Sequence, residues 1–207
     1  VLVVGGGIHG LCSAFALRQR GRDVVVLDRF EEGHDRGGSH GAARITRSSY
    51  HERKYVQLAQ RARRVGWPLL ESVLGQQLVH PTPGVFFGAP EGLFADFLAA
   101  TLGAGVQVEQ VDVAAAARAF PLLRFESDDA VMLDHTAGVL AAEDAMVGLR
   151  QWLRGNGVEI VHGEVAMRLQ ADAAALTVET LTEKRRARAV VVATGAWLGE
   201  LLPEWSA

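Results

Sequence analysis

A glycine-rich turn near the start of the chain constrains its fold more than any other feature of the sequence. Gly5, Gly7 and Gly10 form a Gly-x-Gly-x-x-Gly pattern directly after the apolar run 1–4. Four apolar residues in a row favour a β-strand that is buried on both faces. The proline-free segment 11–20 has the apolar spacing of a helix. The sequence therefore predicts a strand, a tight turn and a helix, which together open an α/β fold with a parallel sheet.

A second apolar run, residues 24–27, ends on Asp28, eighteen residues after Gly10. A carboxylate at the end of this strand can accept hydrogen bonds from a ribose hydroxyl, and the preceding helix N-terminus offers free N–H groups to phosphates. Gly7 lets the backbone approach a pyrophosphate without a Cβ in the way. The unit predicts a dinucleotide site, and the charge of Asp28 favours FAD or NAD over a cofactor with a 2′-phosphate. The alternative is a glycine-rich turn that binds nothing.

The composition argues against several classes of protein. A net charge of −3 over 207 residues gives no electrostatic reason to expect binding to nucleic acid or to an anionic membrane. No stretch reaches the roughly 18 apolar residues of a membrane span. Cys12 is the one cysteine and cannot form an internal disulfide, which fits a reducing, cytoplasmic compartment. Because Val1 already belongs to the first predicted strand, we expect the natural chain to start earlier.

Further along, the sequence predicts helices, strands and one basic turn. A helix is expected from Glu52 to Leu74, with a kink at Pro68. Asp112 is a suitable N-cap for a short alanine-rich helix. The buried stripe expected for the first of these helices consists of Tyr55, Leu58, Ala59, Ala62, Val65, Leu69 and Leu70. The basic residues expected in a solvated turn are Lys184, Arg185, Arg186 and Arg188.

Arg44 and Arg47 form a basic pair after the polar segment 29–40. On a helical turn, residues three apart share a face, and two adjacent guanidinium groups repel each other unless an anion lies between them. The anion could be a substrate carboxylate, a flavin carbonyl or a neighbouring Glu. An exposed basic turn without a ligand explains the spacing equally well.

Four segments together resemble the FAD-dependent amine and amino-acid oxidases of the D-amino-acid-oxidase-like superfamily. The similarity is greatest to the branch of monomeric sarcosine oxidase and N-methyltryptophan oxidase. The segments are the glycine turn with Asp28, Ser39-His40-Gly41, Arg44-x-x-Arg47-x-x-Tyr50, and Val190-Val-Val-Ala-Thr-Gly-Ala-Trp197.

This resemblance implies a cofactor site and a catalytic set. Arg44 would lie against the flavin ring, Arg47 would pair with the substrate carboxylate, and Tyr50 would belong to the same set. FAD would take a hydride equivalent from the C–N bond of a secondary or primary amino acid, and oxygen would become hydrogen peroxide. The residues implied to hold FAD are Gly5, Gly7, Ile8, Gly10, Asp28, Arg29, Ser39, His40, Arg44, Val165, Thr194, Gly195 and Trp197.

The resemblance also implies a domain organisation. A Rossmann-like FAD-binding domain would occupy residues 1–76 and 138–207, with a partial antiparallel-sheet (α+β) substrate domain inserted at 77–137. The C-terminal part of the enzyme would be missing, so we expect the 207-residue chain to be inactive alone. An NAD-dependent dehydrogenase and a non-catalytic FAD-binding fragment are the competing interpretations. The expected partners are a small amine or amino acid and oxygen.

Overall fold

The computed structural model describes residues 1–205, and their contacts divide the chain into two compact units. The first unit combines Val1–Ala42 with the chain from Ala142 onward, and the second is Ala43–Ala141. The division falls at residues 42 and 141, whereas the sequence predicts boundaries at 76 and 137. The difference arises because the strand that begins at Ala43 pairs with the strand that ends at Ala141, inside the second unit.

Residues 1–205 contain both strands and helices, and the strands from residue 159 onward follow one another without an intervening α-helix. The strands are β1 (Leu2–Val4), β2 (Val25–Leu27), β3 (Ala43–Thr46), β4 (Val79–Pro81), β5 (Gly84–Gly88), β6 (Glu109–Val111), β7 (Ala130–Asp134), β8 (Gly138–Ala141), β9 (Glu159–Val161), β10 (Ala166–Ala171), β11 (Leu176–Thr180), β12 (Lys184–Ala187) and β13 (Val190–Val192). The helices are α1 (Ile8–Gln19), α2 (Arg53–Arg61), α3 (Trp67–Leu74), α4 (Leu93–Gly103), α5 (Val113–Ala119), α6 (Ala142–Gly155) and α7 (Leu198–Leu201). None of the helices in this described part is long and apolar enough to cross a bilayer.

The first unit contains a four-stranded parallel sheet in the order β13-β1-β2-β9. Val3 and Val26, at the centres of β1 and β2, are completely buried, as expected for strands covered on both faces. On one side of the sheet, α1 contacts α6, and the rings of Phe15 and Trp152 lie 4.6 Å apart between their centroids. The predicted α/β fold with a parallel sheet is therefore confirmed.

A smaller antiparallel sheet, β10-β11-β12, completes the first unit. Val178 in β11 is fully buried in a cluster with Leu2 and Leu27 of the parallel sheet. The prediction of a basic turn at residues 184–188 is wrong, because Lys184–Ala187 forms β12. The segment pairs with β11 in an antiparallel ladder, and on its surface Glu179 pairs with Lys184 and Asp172 pairs with Arg186.

The second unit contains two further antiparallel sheets, β3-β8-β4 and β5-β7-β6, together with helices. A π-helical turn at Ala62–Gly66 joins α2 to α3 just before Pro68, which has no N–H to donate to the preceding turn. The predicted stripe of this helix is largely wrong, because Val56 is fully buried while Leu58 is 61% exposed and Val65 is 57% exposed. The predicted N-cap is confirmed, because the Asp112 carboxylate accepts a hydrogen bond from the N–H of Ala115 at 2.6 Å.

Candidate functional site

The glycine turn after β1 is held in a conformation that other residues cannot adopt without strain. Gly5 has φ +110°, and a Cβ at this position would lie 2.3 Å from the carbonyl oxygen of Ala193. A Cβ on Gly10 would lie 1.8 Å from the carbonyl oxygen of Gly5. Both glycines therefore allow main chain to pass close to main chain, so that the N-terminus of α1 lies directly against the end of β1.

Asp28 lies at the carboxyl end of β2, beside the glycine turn. Its side chain is buried, and its backbone N–H donates to the carbonyl of Val161 at 2.8 Å. A Cβ on Gly6 would lie 2.3 Å from Asp28 Oδ2, so Gly6 is the residue that lets the carboxylate approach the turn. Gly6 occupies a variable position of the glycine pattern, which is why the sequence does not single it out.

The loop after β2 returns to the start of α1. The N–H of Ile8 donates to Ser39 Oγ at 3.0 Å, so a distant serine satisfies one of the free donors at the helix N-terminus. A Cβ on Gly7 would lie 3.1 Å from the same oxygen, which leaves little room for any larger residue there. His40 Nδ1 contacts the Gly37 carbonyl within the same loop.

The turn after β13 closes against the same region. The N–H of Ala193 donates to the carbonyl of Val4 at 2.7 Å, which ties this turn to the end of β1. Thr194 Oγ1 is buried and has no hydrogen-bond partner. The guanidinium of Arg29 lies 5.5 Å from the centroid of the Trp197 ring and donates to Glu200 Oε2 at 2.8 Å.

These segments surround a cavity of about 880 Å³ that lies within the first unit. The glycine turn, the loop after β2, α6 and the turn after β13 all contribute to its wall. The predicted cofactor residues that line it are Gly5, Gly7, Ile8, Asp28, Arg29, Ser39, His40, Thr194, Gly195 and Trp197. Because β1 and β13 are neighbours in the sheet, the turns that follow these two strands meet at one site.

Three predicted cofactor residues do not line this cavity. Gly10 faces the Gly5 carbonyl behind the turn. Val165 lies between Glu164 and Ala166, which do line the cavity. Arg44 belongs to the second unit, where it lies on β3.

The cavity also includes residues that sequence reasoning missed. Hydrogen bonds from the Thr180 and Thr182 hydroxyls hold the pKa of Glu164 below its usual value, so its carboxylate stays charged at neutral pH. Arg150 contributes a cation to the cavity wall from α6, and its Nε is buried with no hydrogen-bond partner. The apolar residues around Arg150 predict a helix, but nothing in the local sequence indicates that Arg150 lines a cavity.

The three predicted catalytic residues all lie in the second unit. The interpretation of Arg44 and Arg47 as neighbours on a helical face is wrong, because Arg44 lies in the strand Ala43–Thr46, where side chains alternate with a period of two. Arg44 Nη1 donates to the Ala43 carbonyl at 2.8 Å. The guanidinium of Arg47 lies 5.1 Å from the ring centroid of Tyr50 and 5.3 Å from that of Phe86.

The cavity wall has the features that a dinucleotide such as FAD requires. The turn at Gly5–Gly7 lines the cavity, and a Cβ at any of its three positions would press on the protein atoms that close the turn. Asp28 offers carboxylate oxygens at the end of β2, and the buried Thr194 Oγ1 and Arg150 Nε still require partners. The residues present therefore fit the cofactor. Within residues 1–205, no group of three His, Cys, Asp or Glu side chains is arranged to hold a metal ion.

Comparison with known proteins agrees with this geometry. A family model described as "DAO: FAD dependent oxidoreductase" matches residues 1–205. Peroxisomal sarcosine oxidase of Mus musculus is 30% identical over 202 residues, covering 97% of this chain and 51% of that protein. Monomeric sarcosine oxidase of Streptomyces avermitilis is 30% identical over 206 residues, covering 99% of this chain and 53% of that protein.

Solved structures show the same fold. One of them is the open form of NikD, which is described as an unusual amino acid oxidase essential for nikkomycin biosynthesis. It superposes on the present chain with a TM-score of 0.86 and 27% sequence identity, and the match covers 100% of this chain and 53% of the NikD chain. The present chain thus spans about half the length of the relatives it matches. It belongs to the DAO family of FAD-dependent oxidoreductases and is related to sarcosine oxidase and N-methyltryptophan oxidase.

Proposed function

We propose that this chain binds FAD and forms part of an oxidase that acts on the C–N bond of a secondary or primary amino acid, such as sarcosine, with oxygen reduced to hydrogen peroxide. The observation that carries the proposal is the cavity that the turn at Gly5–Gly7 and the turn at Thr194–Trp197 line together. The sarcosine oxidases among the relatives support the choice of an amino acid as substrate.

In this proposal, residues of the first unit bind and orient the cofactor. The backbone of Gly5 and Gly7 admits the pyrophosphate, and Asp28 accepts hydrogen bonds from the adenosine ribose. The Ser39 hydroxyl already accepts from Ile8, so its own proton is available for a cofactor oxygen. Thr194 Oγ1 gains a partner when the cofactor binds. The bound flavin supplies a ring that accepts a hydride equivalent.

Further cofactor contacts are proposed on either side of this core. The guanidinium of Arg29 lies over the ring of Trp197 at the turn after β13, and a planar ring of the cofactor is proposed to extend this stack. Gly195, with φ +57°, lets the backbone turn there without strain. The backbone of Val165 is proposed to contact the adenine, next to the cavity residues Glu164 and Ala166.

Arg47 is proposed to bind the substrate carboxylate. Three aromatic rings surround its guanidinium, with the Phe97 centroid at 5.6 Å in addition to those of Tyr50 and Phe86. Such rings keep the arginine in a fixed position and lower the local dielectric constant, which strengthens a bidentate contact with a carboxylate. Arg44 is proposed to act on the flavin ring rather than on the substrate, and Tyr50 to position Arg47.

Cofactor identity is tested on the purified 207-residue chain. We expect added FAD to bind with quenching of flavin fluorescence, and we expect NADH to leave its own fluorescence unchanged. Asp28→Asn should weaken FAD binding about tenfold, because a charge-assisted hydrogen bond to the ribose is lost. Binding of NADH without binding of FAD would favour a nicotinamide-dependent dehydrogenase and refute the proposal.

The substrate half is tested by titrating sarcosine into the FAD-loaded chain without oxygen and following the flavin spectrum. Arg47→Met keeps an apolar contact with the surrounding rings and removes the charge, so the apparent affinity for sarcosine should fall by more than tenfold. Arg44→Met is the matched control and should leave sarcosine affinity within about threefold of the wild-type value. Equal losses in both variants would contradict the separate roles of the two arginines.

Peroxide formation separates an active oxidase from a cofactor-binding fragment. Sarcosine and primary amino acids are added to the FAD-loaded chain in air, and hydrogen peroxide is measured with a coupled peroxidase. We expect no peroxide from this chain alone, and peroxide release would contradict that expectation. Tight FAD binding without peroxide from any amino acid would restrict the proposal for this chain to cofactor binding.

A further inference from the structure

Arg150 is a buried cation in the wall of the cavity that no part of the proposed function uses. It lies in α6, and the residue is only 9% exposed. Its Nε atom is buried and has no hydrogen-bond partner, although a guanidinium N–H in such a place ordinarily has one. The buried N–H at Arg150 Nε therefore lacks the acceptor that would compensate for its loss of contact with water.

The position of Arg150 is fixed by the packing of its helix. Glu143, Met146, Val147 and Arg150 line the cavity, and their positions i, i+3, i+4 and i+7 put them on one helix face. On the adjoining face of the helix, Leu149 and Leu153 are completely buried. The guanidinium is thus held at the cavity wall by the packing of α6.

A carboxylate close to Arg150 is already engaged by other groups. Glu32 forms an ion pair with Arg154, one turn further along α6, and lies 3.4 Å from His162 Nε2. The hydrogen bond from Arg154 lowers the pKa of Glu32, with smaller effects from the charges of Arg150 and His162. Because Arg154 supplies the hydrogen bond, Glu32 influences Arg150 through space without satisfying its Nε.

We propose that Arg150 binds a phosphate oxygen of the ADP half of the cofactor. A guanidinium group matches the paired oxygens of a phosphate, and a buried cation is stabilised far more by an anion than by the neutral adenine or ribose. Asp28, Glu32 and Arg150 line the same cavity, so the cation faces the space in which Asp28 is proposed to hold the ribose. This inference rests on the proposed binding of FAD and adds a residue to it.

The test measures binding of ADP and of adenosine to the 207-residue chain by titration calorimetry. Arg150→Met should weaken ADP binding by about 10- to 100-fold and change adenosine binding by less than about threefold. Arg150→Lys keeps the positive charge but lacks the planar guanidinium group, so its ADP affinity should lie between those of the wild-type chain and Arg150→Met. Gln151→Met is the control, because Gln151 is exposed on the same helix and does not line the cavity, and it should bind ADP like the wild-type chain.

Each outcome has a distinct meaning. Unchanged ADP affinity in Arg150→Met overturns the inference and leaves FAD binding intact. Equal losses for ADP and adenosine also overturn it, because Arg150 would then support the shape of the cavity rather than bind a phosphate. If circular dichroism finds Arg150→Met unfolded, Arg150→Lys decides by the same ratio of ADP to adenosine affinity. A wild-type chain that binds neither ADP nor FAD refutes the proposed function itself.

Discussion

Two hydrogen bonds join Ser49 to Asp134 Oδ2, one from the serine backbone N–H at 3.1 Å and one from its hydroxyl at 2.7 Å. The same oxygen accepts the N–H of Ser48 at 3.1 Å, and Thr136 donates to the other oxygen. Asp134, at the end of β7, is only 4% exposed. One buried carboxylate therefore fixes the segment that lies between Arg47 and Tyr50.

Removal of the Asp134 carboxylate should destabilise the second unit. Asp134→Ala leaves the N–H groups of Ser48 and Ser49 buried without an acceptor, so we expect the free energy of unfolding to fall by about 3 kcal/mol. Asp134→Asn keeps one acceptor oxygen and should lose less. Urea denaturation measures both. Asp128→Ala, at an exposed position shortly before β7, is the control and should lie within about 0.5 kcal/mol of the wild-type chain.

The same carboxylate should make stability depend on acid. Burial raises the pKa of Asp134, but hydrogen bonds from Thr136, Ser49 and Ser48 outweigh this effect and hold the pKa below its usual value. A carboxyl group with a lowered pKa in the folded state stabilises the fold above its unfolded pKa of about 3.9, and this contribution is lost as the pH falls through the lower, folded value. Urea denaturation at pH 7 and pH 3 should show a smaller decrease for Asp134→Asn than for the wild-type chain. Equal decreases would contradict this role.

Gly10→Ala tests the close contact between α1 and the glycine turn. The added Cβ would lie 1.8 Å from the Gly5 carbonyl oxygen, so either the helix or the turn must move. We expect a loss of about 3 kcal/mol in the free energy of unfolding. Gly103→Ala is the matched control, because it also lies in a helix but has no atom within 4 Å of the added Cβ. That change should be neutral or stabilise the chain by up to about 1 kcal/mol. Similar losses for both variants would show that the contact with the Gly5 carbonyl does not determine the effect.

Gly6→Ala tests the contact between the turn and Asp28. The new Cβ would lie 2.3 Å from Asp28 Oδ2, so the substitution should displace the carboxylate and cost about 2 kcal/mol. The cost should be smaller by about 1 kcal/mol in an Asp28→Ala background, where the carboxylate is absent. A double-mutant cycle of urea denaturation measures this coupling. Strict additivity of the two substitutions would rule out the contact as the source of the strain.

The parts of the site that the sequence predicts are those determined by nearby residues. Gly10 is required by its contact with the Gly5 carbonyl within a single turn, and the Asp112 carboxylate accepts the N–H of Ala115, only three residues away. The β-conformation around Arg44 was missed because it depends on pairing with Leu140, almost a hundred residues later. Tertiary pairing thus replaced the helical spacing that Arg44 and Arg47 suggest.

Charged residues were harder to place for the same reason. The basic run from Lys184 has the composition of a solvated turn, yet it pairs with β11 as the edge strand of a sheet, where Glu179 and Asp172 lie beside its basic side chains. Arg150 was overlooked because its role depends on a cavity wall built from segments far apart in the chain. In both cases the partner residues, and not the local pattern, determine what the side chain contacts.

The position of β13 next to β1 has a consequence for biosynthesis. Leu2 pairs with Val190, so one edge of the first strand stays open until residue 190 has been translated. Ala43–Ala141, by contrast, is continuous and can complete its own sheets while ribosomes still hold the remainder. A nascent chain therefore exposes an apolar β-edge while the intervening residues are made, so the first strand needs protection from aggregation during that time.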